Sequence, residues 1–218
     1  MRLRSFTLKA GLVLLAAYVS ACTPIGAAVT AGSTVGVAAV EERGVGGAFS
    51  DTSIRLEINH LWLQRSETIL SKTGLTVHEG RVMLTGVLPD TNLMVQAVSM
   101  AWQPDGVREV INEIQIGGSR FIDEARDTWI SAKLESQLLF DSTVSHVNYR
   151  IDVSSSVIYL IGVAQDADEL NRVLAHAESI SNVRQVVNHV LLKGDPKRTA
   201  PPEGQAKADA KRPQLAGG

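Results

Sequence analysis

The 218-residue chain has a single cysteine, Cys22, so no disulfide can form within it, and zinc sites of cysteine type are excluded. Its five histidines, His60, His78, His146, His176 and His189, are nowhere three to five residues apart, so no local pair has metal-ligand spacing. No G-x-S-x-G elbow, phosphate-binding Walker loop, H-E-x-x-H pair or dinucleotide fingerprint occurs. With no catalytic constellation, the expectation is a non-enzymatic protein that needs no cofactor and no metal. A basic surplus is also missing. Arg2, Arg4 and Lys9 lie in the first 21 residues, and without them 18 basic face 23 acidic side chains, a net charge of -5. That balance argues against a nucleic-acid partner, which requires a basic surface. Nor is there a stretch of about 20 apolar residues that would span a bilayer comfortably.

What the N-terminus does have is a short apolar core, Ala10–Val19, behind the positive residues. This is the pattern of a secretory signal, read here as residues 1–21. Val19-Ser20-Ala21-Cys22 follows and resembles the lipobox of bacterial lipoproteins, with Val19 where leucine is usual. The resemblance implies a mature N-terminus at Cys22, lipidated on its thiol and held firmly by two or more acyl chains. Thr23 stands where an aspartate would favour inner-membrane retention. The implied location is the inner leaflet of the outer membrane, facing the periplasm. Residues 22–49 then form a tether. Ile25–Val40 is uncharged and made of small residues, with Gly32 and Gly36 at the G-x-x-x-G spacing of membrane-helix contacts. A flexible link is the plainer reading of a stretch so short and without leucine. The three glycines of Glu41–Gly47 are expected to break any helix.

The rest of the chain is one unit written twice. Val82–Asp90 (VMLTGVLPD) returns as Ile158–Asp166 (IYLIGVAQD) at an offset of 76 residues, without gaps. Asp51, Thr52 and Ile54 meet Asp127, Thr128 and Ile130; Val107, Arg108, Val110 and Asn112 meet Val183, Arg184, Val186 and Asn188. Each unit has about 65 residues, near the lower limit for an independent core, so the two are expected to lean on each other.

Periodicity predicts helix, strand, strand, helix, strand in each unit. In the first, Ser50–Asp51 reads as an N-cap before Ile54, Ile58, Leu61 and Trp62 at helical spacing. Strands follow at Leu75–His78 and Arg81–Leu88, then a helix capped at Asp90 and ending near Trp102, then a strand at Val107–Ile116. The second runs helix Asp127–Leu139, strands Val147–Val153 and Val157–Val163, helix Asp166–Ser179 and strand Val183–Leu192. The hairpin and the helical crossover give an α+β unit, a mixed three-stranded sheet with two helices packed on one face. The alternating strands suit a half-buried hairpin. Gly86 and Gly162 mark strand ends where a side chain would obstruct the chain. Asn112 and Asn188 are expected to satisfy local backbone groups. Asp166, Asp168 and Glu169 read as a helix N-terminus. After Lys193 the composition turns to Pro, Ala, Gly, Lys and Asp, and 194–218 is expected to be a disordered tail.

The apolar strand ending in glycine, the capped helix and the Val-x-x-Val-x-Asn-x-apolar run together resemble the BON domain. The pieces are Val82–Val87 with Val107–Ile114, and Ile158–Val163 with Val183–Val190. With lipobox and tether, the chain is similar to the group of dual-BON outer-membrane lipoproteins, with BON domains at 50–117 and 118–193. The resemblance implies a protein that binds an anionic phospholipid membrane and supports envelope integrity. The alternative is a periplasmic scaffold whose partner is an outer-membrane or division protein.

One difference between the copies bears on where a membrane would be met. Trp129 stands where the first copy has Ser53, and both precede the inward-facing isoleucine. Helical spacing aligns Arg126, Trp129 and Lys133 along one outward stripe, which Phe140 continues just past the helix end. An amphipathic aromatic beside cations has the chemistry of a membrane interface, so these three are the candidate phospholipid-binding residues. The competing reading packs Trp129 against the first copy across the short Gly117-Gly118-Ser119 linker.

Overall fold

The computed structural model describes residues 44–118 and 121–199, with side chains from residue 50 and again from residue 124. The signal, the lipobox with Cys22, the small-residue tether up to residue 43 and the tail beyond residue 199 lie outside the described residues.

Each unit has the expected order with small additions. The first is α1 (Gly44–Arg65), α2 (Glu67–Lys72), β1 (Thr73–His78), β2 (Arg81–Leu88), α3 (Thr91–Ala101), β3 (Glu109–Asn112) and β4 (Gln115–Ile116). The second is α4 (Phe121–Phe140), a 3-10 turn at His146–Asn148, β5 (Tyr149–Ser154), β6 (Val157–Ala164), α5 (Ala167–Glu178) and β7 (Gln185–Leu192). β1 pairs antiparallel with β2, and β5 with β6, so that Leu75 faces Leu84 and Ile151 faces Leu160. The last strand returns parallel to the middle one in both units, Val82 beside Val110 and Ile158 beside Val186. Asp90 and Asp166 cap the crossover helices, accepting from the Leu93 and Glu169 amides at 3.0 and 2.9 Å.

Three expectations need correction. Helix α1 does not begin at Ser50; it starts at Gly44 and runs through all three glycines of 44–47. Glycine lowers helix propensity by only about 1 kcal/mol per residue, so it weakens a helix without ending it. Asp51 is therefore no N-cap. It is 4% exposed, and its two oxygens accept from the Glu79 and Gly80 amides, 2.8 Å each, fixing the β1–β2 turn. Asp127 does the same for Ser155 and Ser156 at 2.6 and 2.7 Å. The repeated aspartate is a turn anchor.

The sheets are also not half-buried. Val82, Leu84 and Leu88 face α1 and α3 in one core, and Ile158, Leu160 and Ala164 face α4 and α5 in the other. The alternate residues meet across the unit boundary: Met83 and Ile111 pack with Val157, Tyr159, Ile161 and Val187. Every residue of β6 is buried. Sheet lies on sheet, and burying a side chain of the size of Met83 contributes about 1.5–3 kcal/mol. Polar contacts surround this third core. Arg81 Nη1 donates to the His189 carbonyl at 2.8 Å, Gln115 Nε2 to the Tyr159 hydroxyl at 3.0 Å, and His189 Nε2 lies 2.8 Å from Glu113 Oε1. The Thr85 hydroxyl donates to the Asp152 carboxylate.

The last correction concerns the tail, whose first residues are ordered. Asp195 caps a 3-10 turn at Pro196–Arg198 that packs on the first unit.

Gly86 and Gly162 lie within β2 and β6 and not at their ends, opposite Thr73 and Tyr149 at the start of the partner strands, and glycine is needed there for a backbone reason. Both have positive φ, 108° and 152°. A Cβ at Gly86 would be driven into the Lys72 carbonyl, and one at Gly162 into that of Asn148. Asn112 and Asn188 accept from the amides two residues on, Ile114 at 3.2 Å and Val190 at 2.9 Å, as expected of residues that satisfy local backbone.

Candidate functional site

Helix α4 buries Ile130, Leu134 and Leu138 against β5, β6 and α5. At about 100° per residue, Trp129 then points away from that core, and Arg126 and Lys133 flank it. All three are on the surface, with Trp129 50% exposed and outside every buried cluster. The inter-unit packing that competed for this residue is made by the sheets instead.

The helix is longer than the spacing predicts and includes Leu139 and Phe140. Phe140 is 83% exposed. It lies three turns beyond Trp129 on the same side, about 16 Å along the axis at 1.5 Å per residue. Leu139, 56% exposed, lies beside it. Leu139 is the residue that sequence reasoning missed: at the end of an amphipathic helix it reads as core. The outer face therefore holds two aromatic rings with cations between and beside them, and Ala132 and Ser136 fill the space without obstructing it.

The other flank of α4 borders a cleft of about 670 Å³ shared by the two units, lined by Lys72, Thr85, Glu124, Asp127, Ser131 and Asp152. Burial pushes the Asp152 carboxyl above its usual range, an effect that Asp127 reinforces and the bonds from Thr85 and the Val153 amide oppose. At the far end of the second unit, Glu169 is 7% exposed and accepts from the Ser145 and Gln165 amides and the Tyr149 hydroxyl, at 2.9, 2.9 and 3.1 Å. Glu169 is thus more than the helix-end charge that its position suggests; it ties α5 to the segment before β5. Burial, with Glu169 close by, raises the Tyr149 pKa. His176 and Arg172 hold Asp141, whose carboxyl lies well below the usual range. Each of these groups has a structural partner. Among the described residues, no group of three or more His, Cys, Asp or Glu could hold a metal ion, and no helix is long and apolar enough to cross a membrane.

The BON domain family matches residues 71–118 and 126–194. The chain belongs to the BON family. Both matches cover the hairpin, the crossover helix and the parallel return strand; the second also takes in α4 from Arg126 onward. The chain is similar to an uncharacterised protein in the gshII 5' region of Anaplasma centrale, 34% identical over 145 residues, 66% of this chain and 95% of that one. It is similar to the outer membrane lipoprotein DolP of Haemophilus influenzae, 22% identical over 83% of this chain and 94% of the other. A 21 kDa hemolysin of Actinobacillus pleuropneumoniae is 26% identical over 55% of this chain and 63% of its own length. Two BON units and this relationship make the chain a DolP-like protein with the tandem α+β architecture.

Proposed function

We propose that this BON protein is a non-enzymatic lipoprotein of the outer membrane, anchored through Cys22 in the inner leaflet, whose second BON domain touches anionic phospholipid and so supports the envelope. The observation that carries the contact is the outer face of α4, where Trp129 and Phe140 are exposed on one side with Arg126 and Lys133 beside them. A ring with an apolar body and an N–H that can still meet headgroups is favoured at a membrane interface. Each cation near an anionic surface contributes on the order of 1 kcal/mol, falling off within a Debye length. Such contacts are individually weak. Acyl chains on Cys22 would raise the local concentration enough to make them effective. The lipobox and the relationship to DolP support the anchored location.

A second reading rests on a different surface. Leu56 and Leu63, 65% and 63% exposed, are two turns apart on the outer side of α1 and would suit an envelope protein as partner.

Vesicle sedimentation separates the two. The described residues, from Gly44 to Thr199, fall within one compact unit, and a fragment spanning Ala38–Gly218 can be prepared without the anchor. This fragment is expected to sediment with phosphatidylglycerol vesicles and not with phosphatidylcholine. Trp129→Glu should abolish sedimentation while circular dichroism and melting stay nearly unchanged. Lys133→Glu should weaken it less, and added salt should mimic that loss. Unchanged binding by Trp129→Glu would sink the lipid assignment and move the partner reading ahead.

A further inference from the structure

The chain does not end its fold with β7. Lys193 continues the register, its amide donating to the Ala164 carbonyl at 2.8 Å, and the chain then turns at Asp195, whose carboxylate accepts from the Lys197 amide at 2.8 Å. The turn delivers Arg198 to the other BON domain. Its Nε and Nη2 donate to the two oxygens of Glu79, at 2.9 and 2.5 Å, in a bidentate pair. Both side chains are largely covered, 15% and 12% exposed. Nη1 of the same guanidinium donates back to the Lys193 carbonyl at 2.6 Å, which fixes the fork. From the first domain, Arg108 answers with Nη1 to the Arg198 carbonyl at 2.6 Å and Nη2 to the Lys197 carbonyl at 3.0 Å. Five charge-assisted bonds thus join five residues, four of the bonds crossing between domains. Glu79 is well chosen as the anchor point. Its backbone is held by Asp51, so it cannot follow the tail if the tail moves.

We propose that Asp195–Thr199 is a strap that locks the two BON domains in their sheet-on-sheet arrangement, with the Arg198–Glu79 pair as its latch. The geometry suits a lock better than a folding element. The strap adds nothing to either helical core: the 3-10 turn has no buried residue, and apart from its return to the end of β7 at Leu192 and Lys193, what it holds belongs to the opposite domain. Without it the sheets keep the Met83–Tyr159 core but lose the cross-link at the hairpin-turn end of the first domain. The expected consequence is a change in the ratio of open to closed domain pairs, with both domains intact. A change of about tenfold in that ratio for a lost latch is the magnitude to look for.

The test uses the mature chain, residues 22–218 with Cys22→Ser, carrying nitroxide labels on cysteines introduced at Asn92 and Asp168. These two exposed positions occupy equivalent places at the start of α3 and α5. The intact chain should give one narrow distance. A chain ending at Gly194, and separately Arg198→Glu, should give a broadened distribution with a longer component while circular dichroism is unchanged. A narrow, unchanged distance in both would overturn the proposal, because the sheets alone would then hold the pair. If the truncated chain loses its circular dichroism, the charge swap decides. Glu79→Lys with Arg198→Glu should narrow the distribution relative to either single change, and failure to do so overturns the latch.

Discussion

Laid over each other at the 76-residue offset, the two BON domains share their frame and differ in what they show to solvent. Asp51 and Asp127 anchor the same turn, Gly86 and Gly162 make the same close approach, and Asn112 and Asn188 close the same local bond. The outer stripe of the first helix is another matter. Arg126, Trp129, Lys133 and Phe140 stand where the first copy has Ser50, Ser53, Glu57 and Gln64. An aromatic and cationic face answers a polar and acidic one. Interiors diverge as well. Trp62 fills the first core, its indole N–H 3.3 Å from the Ala97 carbonyl, where the second has Leu138. The second domain compensates with the Glu169–Tyr149 pair, whose counterparts are Leu93 and Thr73. Duplication retained what fixes the backbone and released the faces, so function is to be sought in the differences between the copies.

The largest effect should come from the shared frame, and it should be equal in both copies. Gly86→Ala and Gly162→Ala each combine a disfavoured φ with a Cβ forced onto a carbonyl, at a cost of about 3 kcal/mol or more. Thermal melting of the two variants should show similar losses. A copy that tolerates alanine would show that the glycine there is not part of a common frame.

The stripe should be transferable if it is sufficient. Ser53→Trp, Glu57→Lys and Gln64→Phe together place the second copy's chemistry on the first. In a Trp129→Glu background these changes should restore part of the binding to phosphatidylglycerol vesicles, about tenfold in affinity for each 1.4 kcal/mol recovered. No recovery would mean that the position of α4 beside the inter-domain cleft matters as much as its side chains.

Much of this was legible in the sequence. A gapless repeat revealed the paired domains, and period-2 and period-3.6 patterns gave the order of the main helices and strands, though the first helix of each unit starts about six residues earlier than the spacing placed it and the short α2 was not foreseen. The outward position of Trp129 followed from the inward position of Ile130. What escaped depended on partners distant in the chain. Met83, Tyr159 and Ile161 interrupt the alternation of their strands with apolar side chains, a sign of sheets covered on both faces, but the pattern could not say by what. Asp51 looked like a cap because capping residues and turn anchors are the same residue types. The strap was hidden in a segment whose composition suggests disorder, because its order comes from Glu79 and Arg108, about 90 to 120 residues away in sequence.

The smallest effect tests an asymmetry within the domain interface itself. Thr85 and Asp152 meet at one end of it, and their counterparts are Ile161 and Thr76, so the carboxyl has no equivalent at the other end. Burial raises the Asp152 pKa, and Asp127 adds to the rise. A group whose folded pKa lies above its unfolded value contributes stability that is complete below the unfolded pKa, about 3.9 for aspartate, and is lost as pH rises through the folded value. The interface should therefore hold best in acid and loosen as pH rises. Asp152→Asn keeps an oxygen to accept from Thr85 and removes the ionisation. The substitution should raise the melting temperature modestly at pH 8 and change it little at pH 4. Thr76→Asn, at the equivalent place in the first copy, should show no such pH dependence. Equal melting shifts for Asp152→Asn at both pH values would mean that the carboxyl is hydrated in solution, with the cleft open enough for water to reach it.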